Sequence, residues 1–387
     1  MSKRNNGEGS IGKYKNGWRS RIMIGVKDDG RPIIKEFYGK TKKEVQKKLE
    51  EYKINSALGI LSNDDKITVQ EWFFTWLFEY RKKDLKPKSF ERYEGIYRKY
   101  IKDSEIGKLK LKDLRATHLQ KYYNKLLDNG ITVETIKQIN TKLKTCLTEA
   151  EKQEYIRRNY CTMVTLPKSN KKKVLEVLTF DQQQLFVNKI KGHKLEVLFL
   201  VALSTGLRLG ELLGLKWSDI NFTDSYLSVN RTLQRTYIID KDGNRKLSII
   251  EQHPKTNNSI RNVPIPKAIL HKLKELKKIK VQDKLKAGHL YMNNDYVFCN
   301  ELGCPIDDKR PGRNLSSLLK ELDIEPIKFH GLRKTYATRL FENNVPPKTV
   351  QELLGHSSID ITLDIYTQVM EDKKIEAVEK LNIIFNI

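Results

Sequence analysis

Four short segments in the C-terminal half carry side chains able to hold a phosphate, move protons and attack phosphorus. They are STGLRLGEL at 204–212, HPKTNNS at 253–259, FHGLRKTYA at 329–337 and LLGHSSIDITLDIYTQV at 353–369. Arg208 and Arg333 suit the first task, because a guanidinium stays charged at any relevant pH and its planar fork donates two hydrogen bonds at once to phosphate oxygens. Arg208 follows Gly206-Leu207 near a helix start, and Glu211, three residues on, shares its face and is placed to fix its rotamer. His330 and Arg333, at i and i+3, address one point from one helical face, and an imidazole gives or takes a proton near neutral pH. A second imidazole, His356, follows Gly355 at the close of the apolar turn Val350-Gln351-Glu352-Leu353-Leu354. Tyr366 is predicted on a helix capped by Ser358, in a stripe with Ile359, Thr362 and Leu363. A phenol is a reversible nucleophile: its oxygen attacks phosphorus, and the resulting ester retains the energy to reverse the step.

Lys255 lies in the polar stretch 252–258 before a predicted strand at 260–265. A hairpin lysine is a mobile ammonium whose pKa falls when desolvated, so it can protonate a leaving oxygen. Lys241 and Lys246 on the neighbouring turn are rivals for that role. Each feature also has an ordinary reading: Arg208 as a surface cation, His356 as a capping or core histidine, Tyr366 as a packed aromatic. Their joint order is what carries the chemistry.

The chain has 387 residues, enough for two to three domains, and a formal charge of +25 from 73 Lys and Arg against 48 Asp and Glu. So large and evenly spread an excess favours a polyanionic partner, nucleic acid first, although a lysine-rich proteome would give the same balance. Cys146, Cys161, Cys299 and Cys304 lie far apart or at spacings unlike a zinc ribbon, the start MSKRNNGEGS has no apolar signal region, and no apolar run approaches a membrane span. The expectation is a reduced, cytoplasmic compartment and no membrane. Gly7-Glu8-Gly9-Ser10-Ile11-Gly12 matches a dinucleotide fingerprint by letters only, with no strand before it, and reads as a flexible lead-in. Neither a Walker A pattern nor H-E-x-x-H occurs, and no metal or other cofactor is expected.

The elements that must position the site read as a mainly α chain with small β-sheets, an α+β organisation in three parts at 1–60, 66–167 and 174–387. In the first, alternation puts Trp18, Ile22 and Ile24 on one strand face and Arg19 and Arg21 on the other. Asp29-Gly30 signals a hairpin turn, a return strand spans 31–38, and Thr41 to Glu44 has capping-box spacing before a helix burying Val45, Leu49 and Tyr52. The second part is helical: a capping box at Thr68 to Glu71 precedes Trp72, Trp76 and Tyr80, Ser89 is a candidate cap before Phe90, Tyr93, Tyr97 and Tyr100, and Ile136, Ile139, Leu143, Leu147 and Ala150 mark a longer helix. The run 167–173 has no apolar side chain and reads as an exposed linker. Beyond it, Thr179 to Gln182 repeats the capping pattern, and helices flank a strand-rich patch at 226–266 with a small antiparallel sheet.

The order Arg208, Lys255, His330-x-x-Arg333, Gly355-His356, Tyr366 resembles the tyrosine recombinases, especially integrases of phages and conjugative transposons, over essentially the whole chain. The resemblance implies an arm-DNA-binding domain, a helical core-binding domain forming half of a clamp around the duplex, and a catalytic domain that cleaves and rejoins DNA through a 3′-phosphotyrosyl intermediate, integrating and excising a mobile element without metal or ATP. It favours Lys255 as the acid, because Arg261-Asn262-Val263-Pro264-Ile265 follows directly, and gives His356 a hydrogen bond to the scissile phosphate. It implies double-stranded DNA as partner, four protomers on paired sites, an excisionase and a host DNA-bending protein, with a C-terminal helix at 373–381 packing in cis or in a neighbour. On the basic strand, Arg19 and Arg21 become DNA-binding candidates. Two other readings stand beside it: a type IB topoisomerase, with the same nucleophile and clamp, and a helix-turn-helix regulator built on 329–343 and 348–354, which would have no use for Tyr366 or Arg208.

Overall fold

A computed structural model describes residues 9–26, 30–57, 66–168, 176–252 and 260–371. The chain divides into two compact units, residues 1–170 and 171–387, and is mainly α with small antiparallel sheets.

Unit one opens with the sheet β1 (Ser10–Tyr14), β2 (Gly17–Val26) and β3 (Pro32–Gly39), paired antiparallel in that order. Ser10 to Gly12, expected in a flexible lead-in, are therefore strand. Helix α1 (Lys42–Ala57) covers one face with Val45, Leu49 and Tyr52, all buried, against Ile22 and Phe37. Thr41 Oγ1 accepts from the Glu44 N–H, and Glu44 reaches back to the Lys40 N–H. One strand expectation is corrected: Ile24 is exposed rather than packed. The β2–β3 register shifts between Met23 and Gly25, and this bulge breaks the strict alternation after Ile22. Arg19 and Arg21 face away from the helix as expected, both paired with Glu36 on β3, at 3.5 and 2.7 Å. The turn at 27–29 lies outside the described residues.

The rest of unit one is helical. Thr68 caps α2 (Val69–Thr75) in a reciprocal box with Glu71, and the helix runs on as a π-helical segment, Trp76–Arg81. Trp72 and Trp76 are buried while Tyr80 is exposed. Helix α3 (Pro87–Ile96) begins two residues before Ser89, which therefore is not its cap: Pro87 takes the first helical position, where its fixed φ suits the turn and its missing N–H costs nothing. Helix α4 (Ala116–Asp128) packs on α5 (Val133–Lys152), whose Ile136, Ile139, Leu143, Leu147 and Ala150 form the predicted buried stripe. The Trp72 indole donates to the Cys146 carbonyl at 3.1 Å, tying α2 to α5. Of the aromatics at helical spacing, Trp72, Trp76 and Phe90 are core, while Tyr93, Tyr97 and Tyr100 are partly buried.

In unit two, Thr179 and Gln182 cap α6 (Phe180–Lys189) reciprocally. Helix α7 (Glu196–Thr205) buries Leu198, Phe199, Val201 and Ala202, and the short α8 (Leu209–Leu213) follows. The strand-rich patch forms two sheets rather than one: β4 (Ile220–Asn221), β5 (Tyr226–Val229) and β8 (Arg261–Pro264) pair in the order β4-β5-β8, while β6 (Thr232–Ile239) and β7 (Arg245–Gln252) make a separate hairpin. Then come α9 (Lys267–Ala287), α10 (Lys309–Lys320), α11 (His330–Glu342), α12 (Pro347–Leu354) and α13 (Asp360–Glu371). The helix-turn-helix spacing at 329–354 is thus real as geometry. Among the described residues, no helix is long and apolar enough to cross a membrane. Residues 169–173 of the expected linker and the expected C-terminal helix lie outside the described residues.

Candidate active site

The site is assembled from three chain reversals around α11. The first ends α7 at Gly206, whose left-handed φ of +62° satisfies the helix terminus through an N–H bond to the Ala202 carbonyl. A Cβ there would lie 2.5 Å from Tyr336 Cδ1 and 2.8 Å from Leu354 Cδ2, so close approach as well as backbone conformation requires glycine. Two residues on, Arg208 stands at the N-cap of α8 with extended backbone. The Glu211 carboxylate accepts the Arg208 N–H at 3.0 Å and Nη1 at 2.7 Å, the rotamer lock read from the spacing. Arg208 Nη2 donates to the Gly355 carbonyl at 3.1 Å, and its side chain stays 39% accessible, so the group is held yet open on one side.

Glu211 is buried, 6% accessible, and burial alone would raise its pKa; Arg261 and then Arg208 outweigh that and hold it below the usual carboxylate range. It is an anion. Arg261, at the start of β8, donates Nη2 to Glu211 at 3.1 Å and Nε to the Leu353 carbonyl at 2.8 Å.

Arg333, one turn into α11, is 2% accessible. Its Nη1 donates to the Gly206 carbonyl at 2.8 Å and its Nη2 to the Leu354 carbonyl at 2.6 Å, while Nε is buried with no partner among the described residues. Both its acceptors are neutral, so its charge is not cancelled by a contacting carboxylate. Burial and then Arg208 pull its pKa down to about 9, which leaves it cationic at neutral pH. A buried, uncompensated guanidinium is costly and invites an anion. His330, the first residue of α11, keeps an exposed face; partial burial, then Arg333, Lys334 and Arg208, lower its pKa below the ordinary 6.5.

The second reversal ends α12 at Gly355, φ +64°, which delivers His356 into the interior at 7% accessibility. Its Nδ1 lies 2.9 Å from Thr362 Oγ1, a fully buried hydroxyl on the first turn of α13. Burial, then Arg333 and Arg208, push its pKa down to about 3, so this imidazole is neutral in the free protein. At the third reversal, Ser358 Oγ accepts the Asp360 N–H at 3.2 Å as α13 begins. Tyr366 is half-buried, its ring meeting Phe341 edge-on at 5.2 Å between centroids, in a cluster with Ala337, Val350, Leu354 and Ile365. The expected stripe is corrected here. Thr362 is buried as the stripe required, but Leu363 is exposed and Ile365 is buried in its place, because the inward side of α13 faces both α11 and α12.

The structure therefore brings Arg208, Glu211, Arg333 and the 354–356 turn into one hydrogen-bonded group. His330 stands on the same helix as Arg333, and Tyr366 on the helix tied to His356 through Thr362. Lys255 lies outside the described residues; its rivals Lys241 and Lys246 are exposed, on the β6–β7 turn and in β7. Sequence reasoning did not single out Arg261 or Thr362. Arg261 stands in the sequence only as the start of the Arg261-Asn262-Val263-Pro264-Ile265 run after Lys255, and Thr362 only as a hydroxyl inside a predicted stripe.

Comparison with known proteins agrees with this architecture. Residues 176–373 match the model described as "Phage integrase family", and residues 68–127 match "Phage integrase, N-terminal SAM-like domain". A "Tyrosine recombinase XerC-like" protein of Caldanaerobacter subterraneus subsp. tengcongensis is 44% identical over 376 residues, 95% of this chain and 96% of that protein. The ICEBs1 integrase of Bacillus subtilis is 28% identical over 77% of this chain and 78% of that one. Among solved structures, the Tn1549 transposon integrase in complex with transposon right end DNA superposes with a TM-score of 0.66 at 22% identity, covering 81% of this chain and 99% of that chain. With family signatures across both units and a relative of this identity over nearly the whole length, the chain belongs to the phage integrase family, the tyrosine recombinases.

Proposed function

We propose that this protein is a site-specific DNA recombinase that integrates and excises a mobile element, cleaving and rejoining strands through a 3′-phosphotyrosyl ester. The observation that carries the reading is Arg333, a buried cation held by two neutral carbonyls beside the half-open Arg208. That pair is built to receive a charged oxygen acid. On binding, Arg208 and Arg333 take the non-bridging oxygens of the scissile phosphate, and negative charge growing there in the transition state meets fixed donors rather than reorganising water. His356, neutral and with Nδ1 engaged by Thr362, gives a hydrogen bond from its far nitrogen rather than a proton. The Tyr366 oxygen attacks phosphorus, its proton passing to His330, whose lowered pKa keeps it an acceptor at neutral pH. The bond to the 5′ oxygen breaks as Lys255 protonates it. In the second step a 5′ hydroxyl attacks the phosphotyrosyl ester and the phenol leaves with a proton, so the number of phosphodiesters is conserved and ATP is not consumed.

Three domains, 1–60, 66–167 and 174–387, divide the work: the basic sheet with Arg19 and Arg21 on an arm site, the helical domain on the core site, and the catalytic domain on the scissile phosphate. The family matches at 68–127 and 176–373 support the last two. A solved lambda integrase tetramer bound to a Holliday junction, 20% identical with a TM-score of 0.58, supports four protomers as the acting assembly. An excisionase, a host DNA-bending protein and action in the bacterial cytoplasm complete the proposal. Family membership sets aside the topoisomerase and regulator readings.

The test uses nicked duplex DNA bearing the junction sequence found as direct repeats around the element that carries the gene. Wild type should form a covalent protein–DNA adduct, and Tyr366→Phe should form none while its DNA affinity stays within about threefold, since one hydroxyl adds little to a phosphate-dominated contact. An adduct that persists in Tyr366→Phe refutes the nucleophile, and a wild type that never forms one refutes the enzyme.

A further inference from the structure

Arg261 lies outside the six side chains assigned above, yet it touches two of the three reversals that build the site. It opens β8, immediately after the 253–259 segment that carries Lys255, and pairs across the sheet with Val229. Its side chain is 7% accessible and engaged by acceptors of the protein itself, a carboxylate among them. One planar group serves two acceptors: Nε donates to the Leu353 carbonyl at 2.8 Å, and the terminal nitrogens reach Glu211 at 3.1 and 3.4 Å. A lysine, a point charge on a flexible stem, cannot reproduce that geometry.

Glu211 sets up a conflict that Arg261 resolves. The carboxylate must lie against Arg208 to aim it, but a carboxylate 2.7 Å from a guanidinium also cancels its charge toward any third group. With Arg261 on the other side of Glu211, two guanidiniums share the carboxylate and, counting Arg333, the cluster keeps two positive charges; without Arg261, one remains. A phosphodiester enters with one negative charge and concentrates further charge on its non-bridging oxygens during transfer. Through the Leu353 carbonyl, Arg261 also holds the turn whose next residues supply acceptors to Arg333 and Arg208 and then place His356.

We infer that Arg261 is a positioning residue of the phosphate clamp: it shares the Glu211 carboxylate so that Arg208 is aimed without being neutralised, and it pins the 353–356 turn. The inference rests on the strand-transfer reading of the site.

The experiment compares wild type, Arg261→Gln and Arg261→Lys for the rate of adduct formation, on a nicked substrate with an ordinary phosphodiester and on one with a neutral methylphosphonate at the scissile position. Thermal melting and DNA binding are followed alongside. Arg261→Gln should slow the phosphodiester reaction about 30-fold or more, less than the loss of a direct donor, with DNA affinity within about threefold. On the methylphosphonate, which has no charge to meet, the deficit should shrink to about fivefold or less. Arg261→Lys should recover part of the rate. Equal deficits on the two substrates, as a merely structural role would give, or a phosphodiester rate within about threefold of wild type, would overturn the inference. Should Arg261→Gln melt below the assay temperature, Arg261→Lys decides in its place by the same comparison. A wild type without adduct on either DNA overturns the strand-transfer reading itself; a competent wild type beside an unimpaired Arg261→Gln overturns only the role given to Arg261.

Discussion

Replacing Gly206 with alanine tests whether the first reversal is as tightly determined as the geometry says. The φ of +62° costs an L-residue about 1–2 kcal/mol. The added methyl, 2.5 Å from Tyr336 and 2.8 Å from Leu354, forces neighbours aside at a further cost of about 1–3 kcal/mol, typical of overpacking. The sum is a destabilisation of about 2–5 kcal/mol, a large part of a domain's usual stability but compatible with folding at low temperature. Gly192 supplies the control: its φ is +74°, yet a Cβ there would meet nothing within 4 Å, so Gly192→Ala should lose the backbone part alone, about 1–2 kcal/mol. Urea titrations of the two variants separate the contributions. Because the Gly206 carbonyl receives Arg333, adduct formation should also slow by about tenfold or more in Gly206→Ala and remain near wild type in Gly192→Ala. Two variants with equal midpoints and equal rates would refute the claim that this turn is packed against the clamp.

Acid stability reports on His356. Above pH 6.5 it is neutral in folded and unfolded chains alike, and its full contribution is present; as pH falls from 6.5 toward about 3 the unfolded chain binds a proton that the folded one refuses, so stability drops by up to about 1.4 kcal/mol per pH unit from this group. His356→Gln should flatten the slope of unfolding free energy between pH 6 and pH 5, before most carboxylates titrate, and an unchanged slope would contradict the assigned burial. Binding to DNA should weaken steeply with salt, with a log–log slope of about −5 or steeper for six or more neutralised phosphates; a nearly flat plot would remove the support that the net charge of +25 gives to a nucleic-acid partner.

What could be read from the sequence was whatever is local. Glu211 locking Arg208, His330 preceding Arg333 by one turn, Gly355 delivering His356 and the α5 stripe all follow from spacings of a few residues, and the structure shows each contact or burial. Misreadings fell where a local rule met a competing one. Alternation places Ile24 on the packed face, but a bulge interrupts it; Ser89 has the chemistry of a cap, but Pro87 starts the helix; spacing puts Leu363 in the stripe, but α13 turns a different side to α11 and α12. The contacts that make the clamp were illegible for a different reason. Arg333 donates to the carbonyl of Gly206, and Arg261 to that of Leu353, both far away in the chain. A backbone carbonyl leaves no mark in the residue alphabet, so only the folded chain reveals which one a buried guanidinium finds.

The central claim is that one particular phenol becomes esterified to DNA, and the site offers a rival for it. Tyr336, on α11, lies in the same cluster as Tyr366 and lines the Gly206 turn. Trapping wild type on the nicked substrate, digesting the complex and sequencing the peptide that retains the nucleotide distinguishes them directly. The account predicts the α13 peptide with the modification on Tyr366; a nucleotide on the α11 peptide at Tyr336, or on any other residue, would contradict it.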